Sequence, residues 1–228
     1  MRDLKYLFAY SIPLSTFFSI YFHGIWSYSS VFYAFVIIPL IEWLSNQPNS
    51  IFSDREIEGR LKNKLFDIML YLNVPIVFGL LSYGLLILNQ EVFATYERVG
   101  ILSSLGILLA TNAINVAHEL GHRLSRFERT LSKLLYMPCL YMHFFLEHNY
   151  GHHKNMATSD DPATARYNQP LYSFWISSVI NQYKNAWRIQ FRLLANKQKP
   201  FFSFENDMLF YFSKAQFDQN LNKRQLLI

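Results

Sequence analysis

Cysteine is nearly absent from this chain, since Cys139 is the only one among 228 residues. A single thiol excludes an internal disulfide framework, a Cys-x-x-Cys metal knuckle and a thiolate-ligated iron module within the chain. Any redox partner of the protein must therefore be a separate molecule.

Charged residues are also scarce: they make up 16% of the sequence, against 51% hydrophobic and 18% aromatic residues. The apolar residues are concentrated in the first half, and the charged ones lie between and after the apolar runs. This segregation is typical of a membrane protein rather than of a water-soluble domain. The net charge of +5 then indicates topology determinants and contacts with membrane lipid, not nucleic acid binding.

Four apolar segments approach the length of roughly 20 helical residues that a bilayer crossing requires. The first follows Arg2 and Lys5, and because no small-residue cleavage site comes after it, we interpret it as a retained span rather than a signal peptide. The predicted fold is all-α, a polytopic membrane protein with about four transmembrane helices. The predicted spans are residues 6–22, 26–44, 68–88 and 99–117.

Basic residues predict the orientation of these spans, because Lys and Arg accumulate on the cytoplasmic side. The hairpin at His23 has no basic residue, whereas two clusters follow the second and fourth spans. We therefore expect both ends of the four-span unit, and the histidine-rich region after it, to face the cytoplasm. The clusters are Arg55, Arg60, Lys62 and Lys64, and Arg123, Arg126, Arg129 and Lys133.

The remaining chain predicts three further features. Residues 123–136 alternate basic and apolar side chains, as in a helix lying at the membrane surface. Residues 134–146 are apolar but short for a crossing, which predicts an embedded or interfacial helix. Residues 175–199 predict a cytoplasmic amphipathic helix. The expected regions are a transmembrane platform (1–117), a histidine-rich metal-binding region (118–166), and the amphipathic helix with its tail (167–228).

Five of the seven histidines form two clusters in which pairs are spaced i, i+4. On a helix this spacing places two imidazoles on one face, one turn apart, where they can bind one metal ion. Neutral imidazole suits zinc, iron, copper and nickel alike, so the spacing does not name the metal. The isolated His23 and His143 indicate structural roles. The predicted ligands are His118, His122, His148, His152 and His153.

Acidic residues accompany both clusters. Oxygen ligands suit iron, but we expect Glu119, Glu147, Asp160 and Asp161 mainly to hold the imidazole tautomers. The run from His118 to His122 also has the His-Glu-x-x-His pattern of zinc proteases, in which glutamate is the general base. That alternative requires a further ligand and leaves the second histidine cluster unexplained.

Three motifs carry a resemblance to a known family: Ala-His-Glu-Leu-Gly-His at 117–122, Glu-His-Asn-Tyr-Gly-His-His at 147–153, and Ala-Thr-Ser-Asp-Asp-Pro-Ala at 157–163. They resemble the first two histidine boxes and the acidic motif of the membrane alkane 1-monooxygenases, within the fatty acid desaturase and hydroxylase class. Ser159 stands where that family has proline.

The resemblance implies an oxidoreductase of the bacterial inner membrane with a di-iron centre held by the predicted histidines. It implies hydroxylation of the terminal methyl of medium- or long-chain alkanes, taken from the bilayer, with O2 and electrons from rubredoxin and rubredoxin reductase. The family supplies further histidines from two later segments, whereas this chain has none after His153. We therefore expect an incomplete di-iron site, lacking the C-terminal part. A fatty acid desaturase, a xylene-type hydroxylase and an inactive metal-binding fragment remain alternatives.

Overall fold

A computed structural model of the protein describes residues 4–45, 59, 63–90 and 92–209. Throughout these residues the regular structure is helical, so the predicted all-α class is confirmed. The chain divides into two compact units, Met1–Leu120 and Gly121–Ile228. Two predicted features lie outside the described residues: the basic loop positions Arg55, Arg60 and Lys62, and the tail after residue 209.

Four helices build the first unit: α1 (Ser11–Phe22), α2 (Gly24–Leu44), α3 (Lys64–Leu88) and α4 (Thr95–Gly121). The last three are long and apolar enough to cross a membrane, and they match the second, third and fourth predicted spans. The 25 residues of α3 rise about 38 Å, which exceeds a hydrocarbon core of about 30 Å.

The first predicted span differs from the other three. It consists of the 3-10 helix Leu4–Tyr10 and the 12-residue helix α1, which alone rises only about 18 Å. The hydroxyls of Ser15 and Thr16 lie 3.1 and 3.0 Å from that of Ser30 on α2, and Ser19 accepts a hydrogen bond from the Ser30 amide. These buried hydroxyl groups make α1 less apolar while allowing it to pack closely against α2.

Buried amides join α4 to the rest of the first unit. Asn112, in the π-helical turn Leu109–Ile114, donates to Asn73 Oδ1 on α3 at 2.9 Å and to the Ala9 carbonyl at 3.3 Å. Asn73 in turn donates to the Met69 carbonyl at 2.8 Å. Such hydrogen bonds between membrane helices fix their relative positions, and α4 is the helix whose last turn carries His118.

Gly100 allows α4 to approach the start of α2. A Cβ atom at this position would lie 2.8 Å from Ser27 Cβ and 2.9 Å from Tyr28 Cδ2. We expect Gly100→Ala to lower the melting temperature of the protein in detergent micelles, at a cost of about 1–3 kcal/mol. Gly106→Ala on the same helix is the matched control, because nothing lies within 4 Å of its added Cβ and alanine favours helix. Equal melting temperatures for the two variants would contradict the close packing.

The second unit contains α5 (Arg126–Tyr136), the helical residues 143–155, named α6, and α7 (Leu171–Asn196). Within α6, an α-helical turn His143–Glu147 is followed by a π-helical turn His148–His152 and by His153–Asn155. The helix predicted over 175–199 is present as α7, and α6 and α7 pack against each other.

The prediction of one helix over residues 134–146 is wrong, because this segment is interrupted by a turn. The chain leaves α5 at Tyr136, passes through the 3-10 turn Met137–Cys139, and has a left-handed residue at Leu140, with φ +52°. Pro138 inside the turn lacks an amide hydrogen and a left-handed residue reverses the chain, so the helix cannot continue. This break directs the chain back so that α6 can bring His148 toward His122.

Candidate metal centre

The π-helical turn of α6 brings His148 and His153 together. Their Nε2 atoms lie 3.1 Å apart and their ring centroids 4.5 Å apart. In an α-helix, residues five apart project about 140° away from each other. A π-helical turn has i→i+5 hydrogen bonds and aligns residues five apart on one face. The local backbone therefore creates the pair.

His122, immediately after α4, completes a cluster of three imidazoles within the second unit. Its Nε2 lies 3.2 Å from that of His148, and its ring centroid lies 4.9 Å from that of His153. His148 stands at the centre and is only 9% exposed. His148 Nε2 thus faces the Nε2 atoms of two other predicted ligands, His122 and His153.

The spacing of these nitrogens fits a metal ion. A metal–nitrogen distance of about 2.1 Å separates two ligand atoms by about 3.0 Å at a right angle and about 3.4 Å at the tetrahedral angle. The observed 3.1 and 3.2 Å fall between these values. Hydrogen bonds alone cannot explain the cluster, because His148 Nε2 has either one hydrogen or one lone pair but faces two nitrogens. A cation beside His148 Nε2 could instead accept the lone pairs of His148 and of a neighbouring imidazole.

His152 is held by a buried carboxylate beside this cluster. Its Nδ1 lies 3.0 Å from Asp161 Oδ2, and Asp161 also accepts from the Thr164 hydroxyl at 2.6 Å and the Ala163 amide at 3.0 Å. Burial raises the pKa of Asp161, but the hydrogen bonds from Thr164, Ala163 and His152 outweigh it and lower the pKa below its usual value. The ionised carboxylate can only accept, so Nδ1 of His152 carries the hydrogen and Nε2 keeps its lone pair for a metal.

The three remaining histidines are His118, His143 and His23. His118 is in the last turn of α4, in the first unit, four residues before His122; its place among the ligands stays a prediction from that spacing. His143 begins α6, with its ring 4.9 Å from Tyr141 and 5.1 Å from Tyr183. Burial lowers the pKa of His143 to about 4, so its ring is neutral. His23 packs against Phe93 between α1 and α2.

Among the remaining carboxylates, Glu147 is fully buried whereas Asp160 is exposed. Glu147 Oε1 accepts a hydrogen bond of 3.2 Å from Asn185 Nδ2 on α7. Burial raises the pKa of Glu147, and this hydrogen bond opposes the increase. Asn185 is not among the residues predicted from the sequence, because it lies 38 residues from Glu147 and in no motif. The available signal was the helical spacing of Ser178, Gln182 and Asn185 on one face of α7.

Comparison with known proteins places this arrangement in a family. The fatty acid desaturase family model matches residues 98–217, which is more than half of the chain. Alkane 1-monooxygenase 1 of Alcanivorax borkumensis is 32% identical over 191 residues, covering 79% of this chain and 46% of the relative. The alkane 1-monooxygenase of Pseudomonas putida is 30% identical over 196 residues, covering 82% and 48%.

A third relative, the hydroxylase component of a xylene/toluene monooxygenase of Pseudomonas putida, is 28% identical over 212 residues, covering 88% of this chain and 53% of the relative. The chain spans about half the length of the curated relatives it matches. The predicted resemblance to the alkane 1-monooxygenases is confirmed by these matches. Because the matched region includes both histidine clusters and Asp161, the chain belongs to the fatty acid desaturase family.

Proposed function

We propose that the protein is a membrane non-haem iron monooxygenase that hydroxylates the terminal methyl of medium- or long-chain alkanes. The observation that carries this proposal is the convergence of the His122, His148 and His153 ring nitrogens in a region shared with proteins named alkane 1-monooxygenases. His118 and His152 would extend the set to five imidazole ligands of the iron centre.

The donor set favours iron over a zinc protease site. Catalytic zinc is bound by three protein ligands and leaves one position open. Here five histidines are available: His122, His148 and His153 lie together, and His118 and His152 are two further predicted ligands. Iron bound by these imidazoles would supply the activation of O2 that side chains alone do not provide. The chain's own residues would hold and orient the metal: Asp161 would fix the tautomer of His152, and His148, which is 9% exposed, would contribute a buried ligand.

The membrane helices account for the substrate class. α2, α3 and α4 give the protein direct access to the bilayer, where alkanes and acyl chains dissolve because their transfer from water is favourable. We infer a bacterial inner membrane and a cytoplasmic histidine region, supported by the distribution of Lys and Arg in the sequence. A reduced O2-activating site on that side is accessible to cytoplasmic electron donors.

Rubredoxin and its reductase are the electron donors that we propose. The single cysteine excludes an iron–sulfur module within these 228 residues, which supports a separate electron donor. A cavity of about 410 Å³ adjoins Gly151 and is lined by the cations Lys154, Arg188 and Arg192 together with Asp160. Its positive balance fits a negatively charged protein surface, and the donor-dependent rate is expected to fall with added salt.

Hydroxylation of an aryl methyl group is a second candidate, favoured by the 28% identity with the xylene/toluene monooxygenase component. Desaturation of an acyl chain is a third, favoured by the family match. All three use the same histidines, so metal binding does not separate them. Product analysis with alkane, acyl and xylene substrates does: a terminal alcohol from an alkane supports the proposal, and a double bond or a benzylic alcohol alone contradicts it.

Iron content tests the proposed centre. We expect the purified 228-residue chain to bind about one iron tightly and to show little hydroxylase activity with rubredoxin and reductase, because five imidazoles are too few to hold two iron ions. His118→Ala and His152→Ala should each lower the iron content measured by elemental analysis. Two irons per chain, with Mössbauer spectra of a coupled pair, would contradict the first expectation. Full occupancy in both variants would contradict the ligand assignment.

A further inference from the structure

Two faces of the π-helical turn in α6 have different neighbours. His148 contacts His122, whereas the preceding residue, Glu147, bonds to α7. Gly151, which precedes His152, is also in contact with α7. Glu147 and Gly151, which contact α7, thus each directly precede a histidine of the cluster region, His148 and His152.

Asn185 donates to the buried carboxylate that immediately precedes this turn. Glu147 is fully buried, and its Oε1 accepts the amide hydrogen of Asn185 at 3.2 Å. Its Oε2 has no hydrogen-bond partner in the part of the chain that the structure describes. A buried carboxylate without donors is strongly unfavourable, so the single amide donor determines where this side chain stays.

Gly151 makes the turn sensitive to that hydrogen bond. A Cβ atom on Gly151 would lie 2.8 Å from Asn185 Nδ2, 2.8 Å from Glu147 Oε1 and 3.0 Å from Ile189 Cδ1. The backbone between His148 and His152 is therefore in contact with both partners of the hydrogen bond. Because the space is filled, the turn cannot shift without moving the pair.

The surrounding α7 face is polar, although it is buried. Gln182 donates to the Ser178 hydroxyl at 2.7 Å and accepts from the Tyr141 hydroxyl at 3.2 Å, one turn before Asn185. Buried polar contacts are costly unless satisfied, but when satisfied they specify one arrangement.

We infer that Asn185 is a positioning residue for the metal centre, acting through Glu147 and the π-helical turn to set the spacing of the His148, His152 and His153 imidazoles. This inference rests on the proposed function, because it requires that these imidazoles bind a metal. Residues that orient metal ligands through a hydrogen bond typically change metal affinity 10- to 100-fold when replaced.

The test compares Fe(II) affinity of the full 228-residue chain and its variants in detergent micelles, measured by anaerobic competition with a chromogenic chelator. Asn185→Asp keeps the shape of the side chain but places an acceptor against Glu147. We expect it to weaken Fe(II) binding roughly 10- to 100-fold and to alter the visible absorption of bound Co(II), which reports ligand geometry. Asn181→Ala, an exposed asparagine on the same helix, is the matched control and should retain wild-type values.

A double-mutant cycle establishes whether Asn185 acts through Glu147. We expect Asn185→Ala to weaken Fe(II) binding in the wild-type background and to cause no further loss in a Glu147→Ala background, as coupled residues do. Additive losses would overturn the inference, as would wild-type affinity and Co(II) spectrum in Asn185→Asp. Should Asn185→Ala fail to fold, the isosteric Asn185→Asp decides. A wild-type chain that binds no metal would instead refute the proposed function itself.

Discussion

Replacing His148 with phenylalanine is expected to abolish tight metal binding. His148 is the central member of the cluster, with its Nε2 3.2 Å from that of His122 and 3.1 Å from that of His153. The His148 imidazole stacks on Phe144 with ring centroids 4.9 Å apart. Phenylalanine keeps an aromatic ring for this contact but lacks both nitrogens. The loss of Fe(II) affinity should exceed the 10- to 100-fold typical of residues that only orient a ligand.

His143→Phe provides the matched control for this experiment, because it makes the same substitution five residues earlier in α6. The His143 ring lies between Tyr141 and Tyr183, and its Nε2 has no hydrogen-bond partner among the residues that the structure describes. Its replacement should leave Fe(II) affinity unchanged in the chelator competition. Equal affinities of the two variants would show that the cluster is not the metal site.

The membrane helices are predictable from sequence because a bilayer sets their length and composition. Hydropathy identifies α2, α3 and α4 to within about one helical turn at each end. The first predicted span is less accurately described, because Ser15, Thr16 and Ser19 make their contacts inside the first unit. Packing decides which serine faces a neighbouring helix, and the sequence pattern alone does not reveal this choice.

The metal cluster is predictable in composition, but not in the backbone geometry that forms it. Spacing of i, i+4 predicts that His148 and His152 lie together, and their rings stack with centroids 5.3 Å apart. The closer approach of His148 and His153 arises from a π-helical turn, which this spacing does not predict. A π-helical turn depends on what packs against it, and here Gly151 lies against α7. That contact is set by tertiary structure, so local periodicity cannot reveal it.

The role of the acidic motif likewise could be assigned only from the folded structure. The sequence offers Glu119, Glu147, Asp160 and Asp161 as holders of imidazole tautomers, without ranking them. In the structure a turn closed by the hydrogen bonds from Asp161 N to Thr158 O and from Thr164 N to Asp161 O carries the Asp161 side chain inward. Asp160, its neighbour, remains exposed. The choice between adjacent carboxylates thus comes from backbone geometry.

Asp161→Ala is therefore expected to affect both stability and metal binding. The variant removes the acceptor for the His152 ring, the Thr164 hydroxyl and the Ala163 amide. Leaving these donors unpaired should cost about 1–3 kcal/mol or more of unfolding free energy, and the loss of His152 orientation should weaken Fe(II) binding roughly 10- to 100-fold. Thermal melting and chelator competition in detergent micelles measure the two effects.

Asp160→Ala and Asp161→Asn separate the causes of these effects. Asp160→Ala removes the neighbouring, exposed carboxylate and should change stability by no more than about 0.5 kcal/mol, with unchanged metal affinity. Asp161→Asn keeps the shape, but its amide can donate to Nδ1 of His152 and move the ring hydrogen to Nε2, where it blocks coordination. This variant should fold close to normally and still bind Fe(II) weakly. Wild-type affinity in Asp161→Asn would mean that His152 does not depend on Asp161 for its tautomer.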